Sequence, residues 1–177
     1  MTRPLITSLD TIRQQTAARA DEFEAMRDAI DFDDTLPDDA LDALVDAVAA
    51  PIIAAIDCTQ CANCCRSLDV CLIPDDVEPL AQALHIPISE VRTRYVDEAT
   101  GQAQGEWAVM PAHPCPLLRG NLCSIYNHRP HACRVYPQLT PDFRYNMDDA
   151  IEGAASCPII YNVLDALAER FSQRTDE

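Results

Sequence analysis

The 177-residue chain contains no lysine and only four glycines, Gly101, Gly105, Gly120 and Gly153. Without lysine there is no Schiff-base amine and no ammonium group to cradle a phosphate. So few glycines leave no G-x-G-x-x-G loop for a dinucleotide cofactor. Long apolar runs are missing too. The longest, residues 47–56, is about half of what a bilayer crossing requires and contains Pro51. Basic charge is scarce: 13 arginines face 29 carboxylates, a formal net charge of -16 that repels nucleic-acid phosphates and anionic lipid alike. Residues 1–20 carry Arg and Gln where a secretory signal would have its apolar core. The expectation is a cytoplasmic protein with neither nucleic acid nor membrane as its partner.

What the chain does have is sulfur. Nine cysteines are present, and four of them fall in the eight residues Cys58-Thr59-Gln60-Cys61-Ala62-Asn63-Cys64-Cys65. A core does not need that density of thiols, whereas cysteines two residues apart can turn their sulfurs to one point, as at zinc and iron–sulfur sites. Structural disulfides fit badly, because neighbours such as Cys64 and Cys65 reach bridging geometry only with strain, and an odd count leaves one thiol over. A redox pair at Cys61 and Cys64 lacks the alternating strand and helix pattern that accompanies such motifs. Metal ligation is the reading that remains.

In chain order, Leu5, Leu9, Ile12, Thr16, Arg19, Phe23, Met26 and Ile30 recur at steps of four and three, which predicts an N-terminal helix that docks on the domain or self-associates. Pro37 opens a second helix with Asp38 and Asp39 in its first turn; Leu41, Leu44, Val45, Val48, Ile52 and Ile56 form its buried face. Its acidic outer face reads as solvated, and Pro51 should kink or divide it. Residues 68–73 are expected to be extended and to carry Cys71. Asp75 or Asp76 caps a helix to about Leu84, and Ser89 caps another with Val91 and Tyr95 inside. Residues 100–105 read as a loop, followed by a strand through Trp107, Val109 and Met110. Residues 115–126 form two short strands about a turn at Gly120-Asn121, which brings Cys115 near Cys123. A short helix then starts at Pro130 and carries Cys133. Residues 145–153 read as a loop, and Cys157 stands at the start of a last helix with Ile160, Val163, Leu164, Leu167 and Phe171 buried. The fold expected is mainly α: a small helical domain with irregular cysteine-bearing loops and one short β-hairpin, organised around a metal site. The segmentation expected is a helical pair over residues 1–56 and a cysteine-cluster domain over residues 57–177.

Taken together, Cys58, Cys61, Cys64 and Cys65, then Cys115-Pro116-Leu117-Leu118, Cys123-Ser124-Ile125-Tyr126, Arg129-Pro130, Cys133-Arg134 and Cys157-Pro158 resemble the YkgJ-type cysteine-cluster family, described as zinc- or iron-chelating. The resemblance spans roughly residues 57–160 and implies that eight cysteines, Cys58, Cys61, Cys64, Cys65, Cys115, Cys123, Cys133 and Cys157, are the metal ligands. Cys71 lies outside the pattern. Two cofactors fit. Cys58-x2-Cys61-x2-Cys64 matches the first three ligands of a ferredoxin-type [4Fe-4S] cluster, with Cys115-Pro116 or Cys157-Pro158 as the fourth; thiolates from paired loops equally suit tetrahedral Zn2+. Arg66, Arg129 and Arg134 lie close enough in sequence to offset thiolate charge, the alternative for Arg129 and Arg134 being to pair with surface carboxylates. The family also includes flagellin lysine N-methylases that use S-adenosylmethionine, which makes a methylase subunit the alternative to a metal-binding protein. No catalytic constellation is found, which argues against an enzyme.

Overall fold

Polar caps and periodic apolar residues make most of this chain helical. The computed structural model describes residues 4–111 and 113–172, with eleven α-helices and two short antiparallel ribbons among them. The order is α1 (Leu9–Ala18), α2 (Ala20–Asp31), α3 (Asp38–Ala55), the single turns α4 (Cys58–Cys61) and α5 (Cys64–Ser67), and β1 (Cys71–Leu72). A tight turn at Pro74–Asp76 leads to α6 (Val77–Leu84), α7 (Ile88–Tyr95), α8 (Glu98–Ala103) and β2 (Ala108–Val109). Then come β3 (Leu118–Arg119), β4 (Leu122–Cys123), a turn at Tyr126–His128, α9 (His131–Val135), α10 (Met147–Ala154) and α11 (Pro158–Ser172). Among the described residues no helix is long and apolar enough to cross a membrane.

The chain divides into two compact units, one of Met1–Asp57 with Pro137–Glu177, the other Cys58–Tyr136. The segmentation read from the sequence differs in one respect: the chain after Tyr136 rejoins the N-terminal helices. The reason is α11, whose Ile159, Tyr161 and Ala168 are buried along with the expected Ile160, Val163, Leu164, Leu167 and Phe171. A helix apolar on nearly every side needs partners all round, and α1, α2, α3 and α10 supply them. The expected N-terminal stripe buries Ile12, Phe23, Met26 and Ile30, but as two helices rather than one. Arg19 sits at the break, where its guanidinium pairs with Asp165 and, at 2.7 Å, with Glu22. Leu5 precedes α1 and is exposed.

Helix α3 runs undivided through Pro51, which stands on its exposed side near the C-terminus. Its acidic face is not simply solvated. Asp38, Asp42 and Asp46, one turn apart, hold the 140–144 segment: Asp46 accepts from Thr140 Oγ1 at 2.6 Å, Asp42 from the backbone N–H groups of Asp142 and Phe143 at 2.9 Å, and Asp38 from Arg144 Nε at 2.7 Å. Arg144 also donates to the Leu36 carbonyl at 2.6 Å and to that of Ile30.

In the second unit, Val70, Leu72, Val77, Leu80, Val91, Tyr95, Met110, Leu117 and Ile125 form the core. Two segments read as loops are helical. Residues 98–103 form α8 because Asp97 caps it, accepting from the Thr100 N–H at 2.9 Å, and because Gly101 lets the β2 backbone approach: a Cβ there would stand 2.3 Å from Ala108 Cα. In the first unit, residues 147–154 form α10, where Met147, Ala150 and Ala154 bury one side beneath an otherwise polar sequence. Helix α7 is preceded by Pro87 rather than capped by Ser89, which lies inside it. The expected hairpin is present, with Leu118 opposite Cys123 and Arg119 opposite Leu122.

Candidate metal centre

The hairpin and its flanks set the thiols. Leu117 and Ile125 are buried in the core, which turns the residues between them outward and lays Cys115 and Cys123 against the same apolar cluster. Cys133 packs on it from α9. That helix is anchored by Asp76, a buried carboxylate whose two oxygens accept from the backbone N–H of Ile73 at 3.0 Å and of His131 at 2.8 Å. Cys65 arrives from α5. Its carbonyl accepts the Cys115 N–H at 2.7 Å, a short backbone bond between the first cysteine segment and the hairpin.

Each of these four thiols is held above its ordinary range. Burial chiefly pushes the Cys133 thiol up to about 12, with Cys65, Cys115 and Cys123 adding to it. Burial likewise raises Cys115, which feels Cys65 and Cys123, and Cys123, which feels Cys65. Cys65 is raised chiefly by its hydrogen bond with the Cys64 thiol, then by burial. Opposing contributions come from groups aimed at sulfur. The N–H groups of Leu117 and Leu118 favour a Cys115 thiolate, that of Ile125 favours a Cys123 thiolate, and Arg129 acts on Cys65, Cys123 and Cys133. Arg129 is fixed by its Nε–H bond to the Tyr126 carbonyl at 3.0 Å and by stacking 3.9 Å above the Tyr126 ring. Arg66 also favours the Cys65 thiolate.

The donor set fits a soft cation. Four sulfurs crowded with only partial compensation hold their protons, whereas a divalent metal or a cluster iron displaces the protons and turns mutual repulsion into ligation. All nine cysteines carry their sulfur as thiols rather than in disulfides. Among the described residues no three His, Cys, Asp or Glu side chains stand close enough to hold an ion as they are.

Of the other candidate ligands, Cys64 hydrogen-bonds to the Cys65 thiol. Cys58 and Cys61 bracket α4, and Cys64 opens α5 beyond Ala62, a residue in the left-handed region with φ 50°. Cys157 belongs to the first unit, buried just ahead of α11. Cys71 pairs with Val109 across β1 and β2, and its thiol is raised by burial, Glu106 and Asp69. Sequence reasoning pointed to Asp76 only as a helix cap and to Asn121 only as a turn residue, and it missed the N–H donors of Leu117 and Ile125. Only the C-x-[LI] spacing shared by Cys115 and Cys123 could have signalled the last pair.

Residues 57–158, more than half of the chain, match the model of the CxxCxxCC family, described as "Putative zinc- or iron-chelating domain". No curated protein and no solved structure matches the chain.

Proposed function

Because the chain belongs to the CxxCxxCC family of zinc- or iron-chelating domains, we propose that it is a metal-binding protein whose centre is built on the thiolates of Cys65, Cys115, Cys123 and Cys133. The observation that carries this is geometric: Cys115, Cys123 and Cys133 pack against one apolar cluster, and a 2.7 Å bond from the Cys115 N–H to the Cys65 carbonyl ties the first cysteine segment to the hairpin. N–H donors to ligand sulfur are the outer-shell partners that thiolate sites use. The family resemblance adds Cys58, Cys61, Cys64 and Cys157 to the proposed ligand set. Four thiolates suit tetrahedral zinc. The Cys58-x2-Cys61-x2-Cys64 run supports an iron–sulfur cluster instead. When bound, either group supplies the positive charge that the site's own arginines provide only in part.

Anaerobic purification followed by elemental analysis and an absorbance spectrum tests both readings. Stoichiometric zinc in a colourless protein supports the tetrathiolate zinc centre, and a brown protein absorbing near ~400 nm supports the cluster. Binding of neither metal, or unchanged metal content in Cys115→Ser and Cys133→Ser, overturns the assignment.

A further inference from the structure

Resting on that metal-binding reading, we infer that Arg66 is the latch of the centre: its guanidinium holds the first cysteine segment against the hairpin and thereby governs how fast the metal leaves. One N–H arm donates to the Cys61 carbonyl at 2.9 Å, while the other reaches the Gly120 carbonyl at 3.0 Å and Asn121 Oδ1 at 2.5 Å. Asn121 returns the connection, its Nδ2 donating to the Gln60 carbonyl at 3.1 Å. These bonds join residues 60–66 to the turn at Gly120, where φ is +62° and an L side chain would be strained. Like the Cys115 N–H to Cys65 carbonyl bond beside them, they do not involve sulfur. The two ligand-bearing segments are therefore joined by backbone and guanidinium independently of their sulfurs. A metal held by Cys65 on one side and Cys115 and Cys123 on the other can leave by parting these segments, and Arg66 spans the gap with two arms that no ammonium can replace. It is a positioning residue, since its bonds go to carbonyls and an amide rather than to the metal.

The test uses the full chain. In zinc-loaded protein, transfer of zinc to a chromophoric chelator should quicken by about 10-fold in Arg66→Lys, the lower end of what outer-shell partners contribute. Asn121→Ala, which spares the bonds to Cys61 and Gly120, should fall between that variant and the wild type. Arg119→Lys serves as the control, because Arg119 bonds only to the Pro116 and Leu118 carbonyls at 2.9 and 2.8 Å. In metal-free protein the Cys115 amide should exchange faster in Arg66→Lys than in wild type. Wild-type transfer and exchange in Arg66→Lys would show that charge alone suffices and overturn the latch, as would equal acceleration by Arg119→Lys. If Arg66→Lys does not fold, Asn121→Ala decides by the same readouts. A wild-type chain that takes up no zinc or iron defeats the metal reading and with it control of metal release, and the Cys115 exchange then still decides whether Arg66 holds the first cysteine segment to the hairpin.

Discussion

The unit Cys58–Tyr136 carries six arginines against eight carboxylates, whereas the rest of the chain carries seven against twenty-one. The contrast sharpens locally: no Asp or Glu occurs from residue 107 to residue 141, the stretch that holds Cys115, Cys123 and Cys133. A thiolate cluster is itself anionic, so a nearby carboxylate disfavours its formation. Cys71 shows the effect within the same unit, its thiol raised in part by Glu106 and Asp69, while Arg129 acts in the opposite sense on Cys65, Cys123 and Cys133. Acid is therefore concentrated where it bonds to backbone and arginine, as at Asp38 and Asp42, and thinned out where sulfur gathers.

The two units also differ in what holds them together. The first has a long central helix buried nearly all round, and the second has short helices, two-residue strands and thiols laid against a modest core. The largest expected effect exploits this. Chelation should lower the calorimetric transition of Cys58–Tyr136 by more than any single substitution would and shift that of the helical unit, which contributes only Cys157, far less, because metal-binding energy is folding energy where loops meet at a metal. A single transition, indifferent to chelator, would abolish the contrast.

Next in size, Leu164→Ala empties a fully buried position of α11 and should cost about 2–5 kcal/mol. Urea titration should show the loss in the helical unit alone, with metal content unchanged. Loss of metal from this variant would mean that the two units depend on one another.

The smallest effect is on acid stability. Arg144 holds the Asp38 carboxyl below its ordinary range, chiefly by hydrogen bonding, and His113 and then Gln104 do the same for Asp69. A carboxyl depressed in the fold contributes its stability in full above the unfolded value of about 3.9 and loses it as pH falls through the lower folded value. Both units should therefore weaken modestly below about pH 4. Asp38→Asn should flatten the acid limb of the first unit and Asp69→Asn that of the second. Melting curves from pH 6 to pH 2 check this, and equal flattening of both limbs by either variant would contradict it.

Much of the fold was legible before any coordinates. The α3 start at Pro37, the hairpin about Gly120-Asn121, the short helix after Pro130 and the buried face of α11 follow from local rules of capping, turn chemistry and period. What failed were segments whose structure depends on a distant partner. Residues 98–103 are helical because Asp97 caps them, and they can pack on β2 because Gly101 admits its backbone; the N-terminal stripe breaks at Arg19, whose partner Asp165 lies far along the chain.

The centre divides in the same way. Cysteine count and spacing by themselves determined the chemistry, a thiol-rich protein of a zinc- or iron-chelating family, because ligand type and local spacing are written in adjacent residues. Which cysteine-bearing segments lie together was decided only by tertiary structure. Core burial of Leu117 and Ile125, the Asp76 anchor, the Cys115-to-Cys65 backbone bond and the Arg66 bonds draw separate segments together, and contacts of that range leave no periodic trace along a chain.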